Sequence, residues 1–121
     1  MAASDSASPD RARLRPLSRS QFDPLFRRAT VVPGRFLLLR VARSSDGTTR
    51  WGFAVSRRSF GSAVDRNRIR RRLRAAASHL QPSRPLHLAV VARKNALRTS
   101  YRALEEDLER LFALAERLIN D

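Results

Sequence analysis

Cysteine is absent from this chain, so disulfides and thiolate metal sites are excluded and the redox compartment goes unmarked. Lysine is almost absent as well: of 25 basic residues only Lys94 is not arginine. That preference suits bidentate contact with phosphate and stacking on bases, and it equally suits nothing more than the base composition of a genome. Acids are scarce through the middle of the chain, with only Asp46 and Asp65 between Val31 and Thr99. A protein nuclease needs a general base, a nucleophile or carboxylates grouped to hold metal. The two histidines, His79 and His87, have no second histidine or carboxylate at metal-ligand spacing, so both read as structural. Nothing here assembles a protein active site or a metal site. Apolar runs are short too. None approaches the roughly 18 residues of a membrane span, and the N-terminus lacks the apolar centre of a signal peptide. A cytoplasmic protein without membrane contact is expected.

What the chain has in excess is positive charge. Its 121 residues, 42% of them hydrophobic, can support one compact core but not two, and the formal charge is +14 with a pI near 11.9. Solubility alone would be met by far less, so an anionic partner is implied. The charge is concentrated from Arg57 to Arg74, RRSFGSAVDRNRIRRRLR, where eight arginines face one acid, Asp65. Such a patch repels itself until a polyanion arrives and its condensed counterions are released. Nucleic acid is the partner this pattern selects.

Spacing turns the basic stretch into a helix with faces. Asp65 suits the helix start, as a cap and against the macrodipole, and a helix from about Val64 onward puts Ile69, Leu73, Ala76 and Leu80 on one apolar stripe. Asn67, Arg70, Arg71 and Arg74 form a second stripe, while Arg68 and Arg72 lie on a third side. One face is therefore buried and two are basic.

Around this helix the chain reads in order. Met1 to about Arg13 has no apolar periodicity and cannot repay the entropy of ordering, so a disordered tail over 1–13 precedes a single domain over 14–121. A helix carrying Phe22, Leu25 and Phe26 follows. It is capped at Ser18 or at Ser20, the latter with Asp23 as its capping-box partner, or it starts at Pro24 after an Asp23 cap. Phe22 and Phe26 share a face and, from spacing alone, read as core. RFLLLRVAR is an interior strand, Asp46-Gly47 marks a hairpin turn, and RWGFAVS is the return strand. Trp51, Phe53 and Val55 take one face of it. Gly52, Ala54 and Ser56 take the other, where missing bulk permits close approach by a helix or by RNA. Pro82 and Pro85 bracket a loop before the strand LHLAVVA. A helix between two strands of one sheet implies a crossover with parallel pairing. Thr99 or Ser100 caps a last helix with Glu105, Glu106 and Asp107 in its early turns and a core face of Tyr101, Leu104, Leu108, Leu111, Phe112, Ala115 and Leu118. Its acids make it the part RNA should avoid. The fold class is α+β, a helix, strands, helix, strand, helix sandwich.

The block G-S-A-V-D-R-N-R-I-R-R-R-L-R, preceded by G-F-A-V-S-R-R, resembles the signature of the bacterial ribonuclease P protein subunit, and the resemblance runs from about Leu14 to Leu118. It implies an αβββαβα sandwich of the ribosomal protein S5 domain 2-like kind, with a left-handed βαβ crossover where such connections are otherwise right-handed. It implies a ribonucleoprotein endonuclease in which the catalytic RNA subunit supplies the chemistry and holds most of the Mg2+. The protein subunit, inactive alone and needing no protein partner, binds that ribonuclease P RNA and the 5′ leader of precursor tRNA. Carried onto this chain, Phe22, Phe26, Asn67, Arg70, Arg71 and Arg74 face the leader, and Arg57, Arg58, Arg66, Arg68 and Arg72 serve the catalytic RNA. Two departures stand out. Ser59 and Phe60 make the loop after Arg57 and Arg58 one residue longer than in many members. Leu39 falls where some members place an aromatic against the leader. The competing class is a structural RNA-binding protein, such as a ribosomal protein of similar fold. A sequence-specific DNA reader needs varied side chains on its recognition helix, which this arginine helix lacks.

Overall fold

The computed structural model describes residues 14–120; the expected tail over 1–13 lies outside the described residues. The elements are β1 (Arg15–Pro16), α1 (Arg19–Arg27), β2 (Thr30–Pro33), β3 (Leu37–Arg43), β4 (Arg50–Ala54), α2 (Ala63–Ala77), β5 (Leu86–Ala92), a short 3-10 turn at Lys94–Ala96, and α3 (Tyr101–Asn120). This is the expected order with one addition, the two-residue β1. Among the described residues no helix is long and apolar enough to cross a membrane.

The five strands run in the order β1-β4-β5-β3-β2. The expected hairpin between β3 and β4 does not form: β5 lies between them, antiparallel to β3 and parallel to β4. The turn itself is present, with Gly47 at φ +79, a conformation that favours glycine. What displaces the pairing is the character of β5. Leu86 to Val90 are five consecutive buried residues, and a strand apolar on both sides belongs at the centre of a sheet covered on both faces. The parallel pairing of β4 with β5 across α2 is the crossover expected from a helix between two strands.

Registers assign the faces. Leu39, Val90 and Phe53 share one face with Val41, Leu88 and Trp51, and the main core forms there against Ile69, Leu73 and Ala76 of α2 and Leu104, Leu108, Leu111 and Ala115 of α3. Leu39 thus points into this core rather than toward any ligand. The opposite face carries the row Val31, Arg40, Ala89 and Gly52, and α1 covers it.

Helix starts depart from expectation in instructive ways. Ser18 caps α1 in a capping box whose partner is Gln21, not Asp23, and Pro24 lies inside the helix. There it lacks the N–H that would have bonded one turn back, and its ring crowds the carbonyl of Ser20. The α2 cap is Ser62, whose Oγ accepts from Asp65 N; Asp65 is not the cap but a first-turn acid favourable to the helix dipole. Ser100 caps α3, whose acids begin beyond the first turn. Leu118 is exposed and leaves the core face, and Tyr101 is only half-buried.

Asp107, expected as a dipole partner, is 2% exposed. Its carboxylate accepts from the N–H groups of Arg35, Phe36 and Leu37 at 3.2, 2.9 and 3.0 Å and pairs with Arg110. A buried charge needs such saturation, and here it pins the start of β3 to α3.

Candidate nucleic-acid interface

The site begins with how α1 sits on the sheet. Leu25, 1% exposed, anchors the helix, a burial worth about 1.5–3 kcal/mol. Phe22 and Phe26, one turn apart, stack with centroids 5.4 Å apart and planes within 12°. They are not equivalent. Phe22 rests on Gly52, where an added Cβ would lie 2.7 Å from its Cζ and closer still to Cε2. Small bulk at Gly52 therefore serves close approach by a helix, one of the two uses expected of it. Phe26 is 43% exposed and rides on Arg40, whose Cζ lies 4.9 Å from the ring centroid. The pair is neither plain core nor free surface: one ring is seated and the other is presented.

Asp46 holds this arrangement from the side. Its Oδ2 accepts from Arg50 Nε at 2.7 Å and from Gln21 Nε2 of α1 at 3.0 Å, while Oδ1 lies 3.3 Å from His87 Nε2. The Arg50 hydrogen bond, with Ser44 adding to it, holds the Asp46 carboxyl well below the usual carboxylate range. His87, buried in β5, is therefore not isolated: the fold brings it a carboxylate and the Ser44 hydroxyl from a distant loop. His79 is exposed just past α2. No group of three His, Cys, Asp or Glu that could hold a metal ion gathers among the described residues.

The arginines of α2 sort by partner. Arg70 and Arg74 line a cleft of about 340 Å³ with Leu17, Trp51, Gly52 and Phe53. Arg74 Cζ lies 5.7 Å from the Phe53 centroid, and Arg70 Nη1 reaches Asn67 Oδ1 at 3.5 Å. Gly52 meets Phe22 and also lines this cleft, so the aromatic pair and two arginines of the second stripe border one strand. Arg71 and Arg68 are exposed, without an ion-pair partner among the described residues. Arg72 points the other way, with Nη1 3.5 Å from Thr99 O. Arg66 turns back onto its own loop, where Nη1 donates to Phe60 O at 2.7 Å and Gly61 O at 3.0 Å.

The loop after Arg57 and Arg58 has a definite path. Phe60 is 3% exposed and inserts into the core, and its N–H donates to Ser56 O at 3.0 Å, closing a turn that exposes Arg57 and Arg58. Sequence reasoning did not single out Arg40. The signal was available: in LLLRVAR it is a charge at an inner position of an otherwise apolar strand.

Comparisons with known proteins agree with this architecture. A family model described as Ribonuclease P matches residues 9–116. The Ribonuclease P protein component of Symbiobacterium thermophilum is 37% identical over 101 residues, covering 81% of this chain and 87% of that protein. Its counterpart in a Pseudanabaena species is 33% identical over 113 residues, covering 91% and 96%. The solved RNase P protein of Staphylococcus aureus superposes with a TM-score of 0.74 at 23% identity, covering 84% of this chain and 94% of that one, which shows a shared fold. These matches do not favour a ribosomal protein. With a family model spanning almost the whole chain and relatives above 30% identity over four-fifths of it or more, the chain belongs to the ribonuclease P protein family.

Proposed function

We propose that this chain is the protein subunit of ribonuclease P and acts by binding: it joins a catalytic RNA and holds the single-stranded 5′ leader of precursor tRNA while that RNA removes it. The observation that carries this is the shared border at β4, where Phe22 and Phe26 stand on one side of Gly52 and Arg70 and Arg74 on the other. Aromatic faces stack on any base and arginines follow any phosphate, which suits a leader of variable sequence. Asn67 and Arg71 complete the leader side. Arg57, Arg58, Arg68 and Arg72 serve the catalytic RNA, and Arg66 contributes by bracing the loop that presents the first two. Hydrolysis is assigned to the RNA. Most of the Mg2+ is assigned to the RNA with it.

Single substitutions separate the two sides. Phe26→Ala removes a half-exposed stacking surface and should weaken leader-bearing precursor by about 1–3 kcal/mol. Arg70→Ala should do the same, and both should leave mature tRNA binding and the melting temperature nearly unchanged. Arg68→Ala should weaken assembly with the catalytic RNA. Equal losses for leader-bearing and leaderless substrates, in variants that stay folded, would refute the assignment.

A further inference from the structure

The cleft lined by Arg70 and Arg74 does not end at Trp51. A second hollow of about 260 Å³ shares Leu14, Arg15 and Trp51 with it, so the two are lobes of one groove running beside β1 and along α2. Helical spacing carries one stripe through both. Arg70 and Arg74 are followed at the same interval by Ser78, the C-cap, and Gln81 comes after the turn that Leu80 N–H closes on Ala77 O at 3.0 Å. The chemistry changes along the way. The first lobe is cationic and aromatic. The second has half-buried Leu14, Leu80 and Pro82 as apolar walls and Thr48, Ser78 and Gln81 as neutral polar groups, with Arg15 at the junction its only charged side chain.

Such a lobe suits a base and not a phosphate. Phosphates are drawn to cations and to helix N-termini, whereas this lobe meets the carbonyl end of α2, where the helix dipole is negative. An unpaired base brings apolar faces for the walls and an edge of donors and acceptors for hydroxyls and an amide. The groups that would read that edge are free to do so. Among the described residues Thr48 uses only its backbone in hydrogen bonds, Ser78 Oγ donates to Ala75 O at 2.7 Å and keeps lone pairs to accept, and Gln81 is exposed. We propose that the second lobe is a nucleobase pocket, taking one unstacked base of the leader beyond the nucleotides that Arg70 and Arg74 hold. Arg70 to Ser78 is about 12 Å along the helix, the reach of roughly three to four nucleotides at ~3.4 Å per stacked step. This rests on the leader-binding role proposed above and adds to it what rings and arginines lack, a preference for a base at one leader position.

Gln81→Ala and Thr48→Val test it in the full chain assembled with a bacterial ribonuclease P RNA, against precursor tRNAs whose leaders lack one base at a time. Each variant should bind the intact leader about fivefold more weakly, the worth of one hydrogen bond, and mature tRNA as before. With the parent protein one abasic position should cost at least as much, and the combined variant should no longer respond to that position while still responding where Phe26 stacks. Because the lobe is neutral, the log-log salt slope should not move, and the melting temperature should hold. A combined variant that binds intact and abasic leaders as the parent does, beside a clear loss in Phe26→Ala, would overturn the pocket and leave the leader cleft standing. No response to any abasic position, with Phe26→Ala and Arg70→Ala also silent, would overturn the cleft along with it. Weaker assembly with the catalytic RNA and equal losses for leader-bearing and mature substrates would put a base of that RNA in the lobe and overturn the assignment to the leader. A salt slope smaller by about 0.7 would mean a phosphate there instead of a base, and would overturn the proposal as well.

Discussion

Replacing Gly52 by alanine puts a methyl group into the contact that seats α1. The new Cβ would lie 2.7 Å from Phe22 Cζ and 3.0 Å from Leu17 Cδ1, where ordinary contact begins at 3.4 Å, so the ring must retreat by the better part of an ångström. It has little freedom to do so. Phe22 is stacked on Phe26, and its helix is fixed by buried Leu25 and by the Gln21 bond to Asp46. Overpacking of this kind costs about 1–3 kcal/mol. In a domain near a hundred residues each kcal/mol lowers the melting temperature by about 4–8 °C. The damage should stay local, because α1 lies on the opposite face from the core built by α2 and α3. Leader-bearing RNA should therefore bind more weakly while assembly with the catalytic RNA persists. Thermal melts and binding titrations read the two effects. Adding Phe22→Leu to Gly52→Ala shortens the obstructed side chain and should recover much of the lost stability, a coupling that a double-mutant cycle measures. A Gly52→Ala protein as stable as the parent, or one in which Phe22→Leu simply adds its own loss, would refute the seat.

Asp107→Ala should cost about 1–3 kcal/mol for the buried Leu37 N–H it leaves without an acceptor, and more as the half-buried Phe36 N–H loses its own; urea unfolding checks this, and a salt slope for RNA binding unchanged from the parent marks the role as structural. The Asp46 carboxyl is depressed in the folded state, so its contribution is present above the ordinary value of 3.8 and is lost as pH falls through the lower folded value. Urea midpoints measured from pH 5 downward should thus decline less steeply in Asp46→Asn than in the parent, and parallel curves would contradict the hydrogen-bonded hub.

Much of this site is legible in the sequence, and the parts that are not share a cause. Periodicity places Ile69, Leu73 and Ala76 on the buried face of α2 because a helix repeats its neighbours locally. The same spacing groups Arg70 with Arg74, which the fold then sets in one cleft. Strand neighbours are not local. Nothing between Leu37 and Ala54 announces that β5, thirty residues on, will separate β3 from β4, so the Asp46-Gly47 turn suggests a hairpin that does not form. Long-range polar partners are hidden for the same reason: Asp107 looks like any helix acid until the β2–β3 turn arrives, and His87 looks solitary until Asp46 meets it. Alternation assigns Leu39 and Arg40 to opposite faces, but only the position of α1 decides which of them meets the aromatic pair.

The most direct measurement is the affinity of a bacterial ribonuclease P RNA for leader-bearing precursor tRNA and for mature tRNA, each with and without this protein, in Mg2+ at fixed salt. A subunit that grips the leader through Phe26, Arg70 and Arg74 should tighten binding of the leader-bearing substrate and leave the mature one nearly unchanged. Equal tightening of both substrates, or none of either, would contradict it.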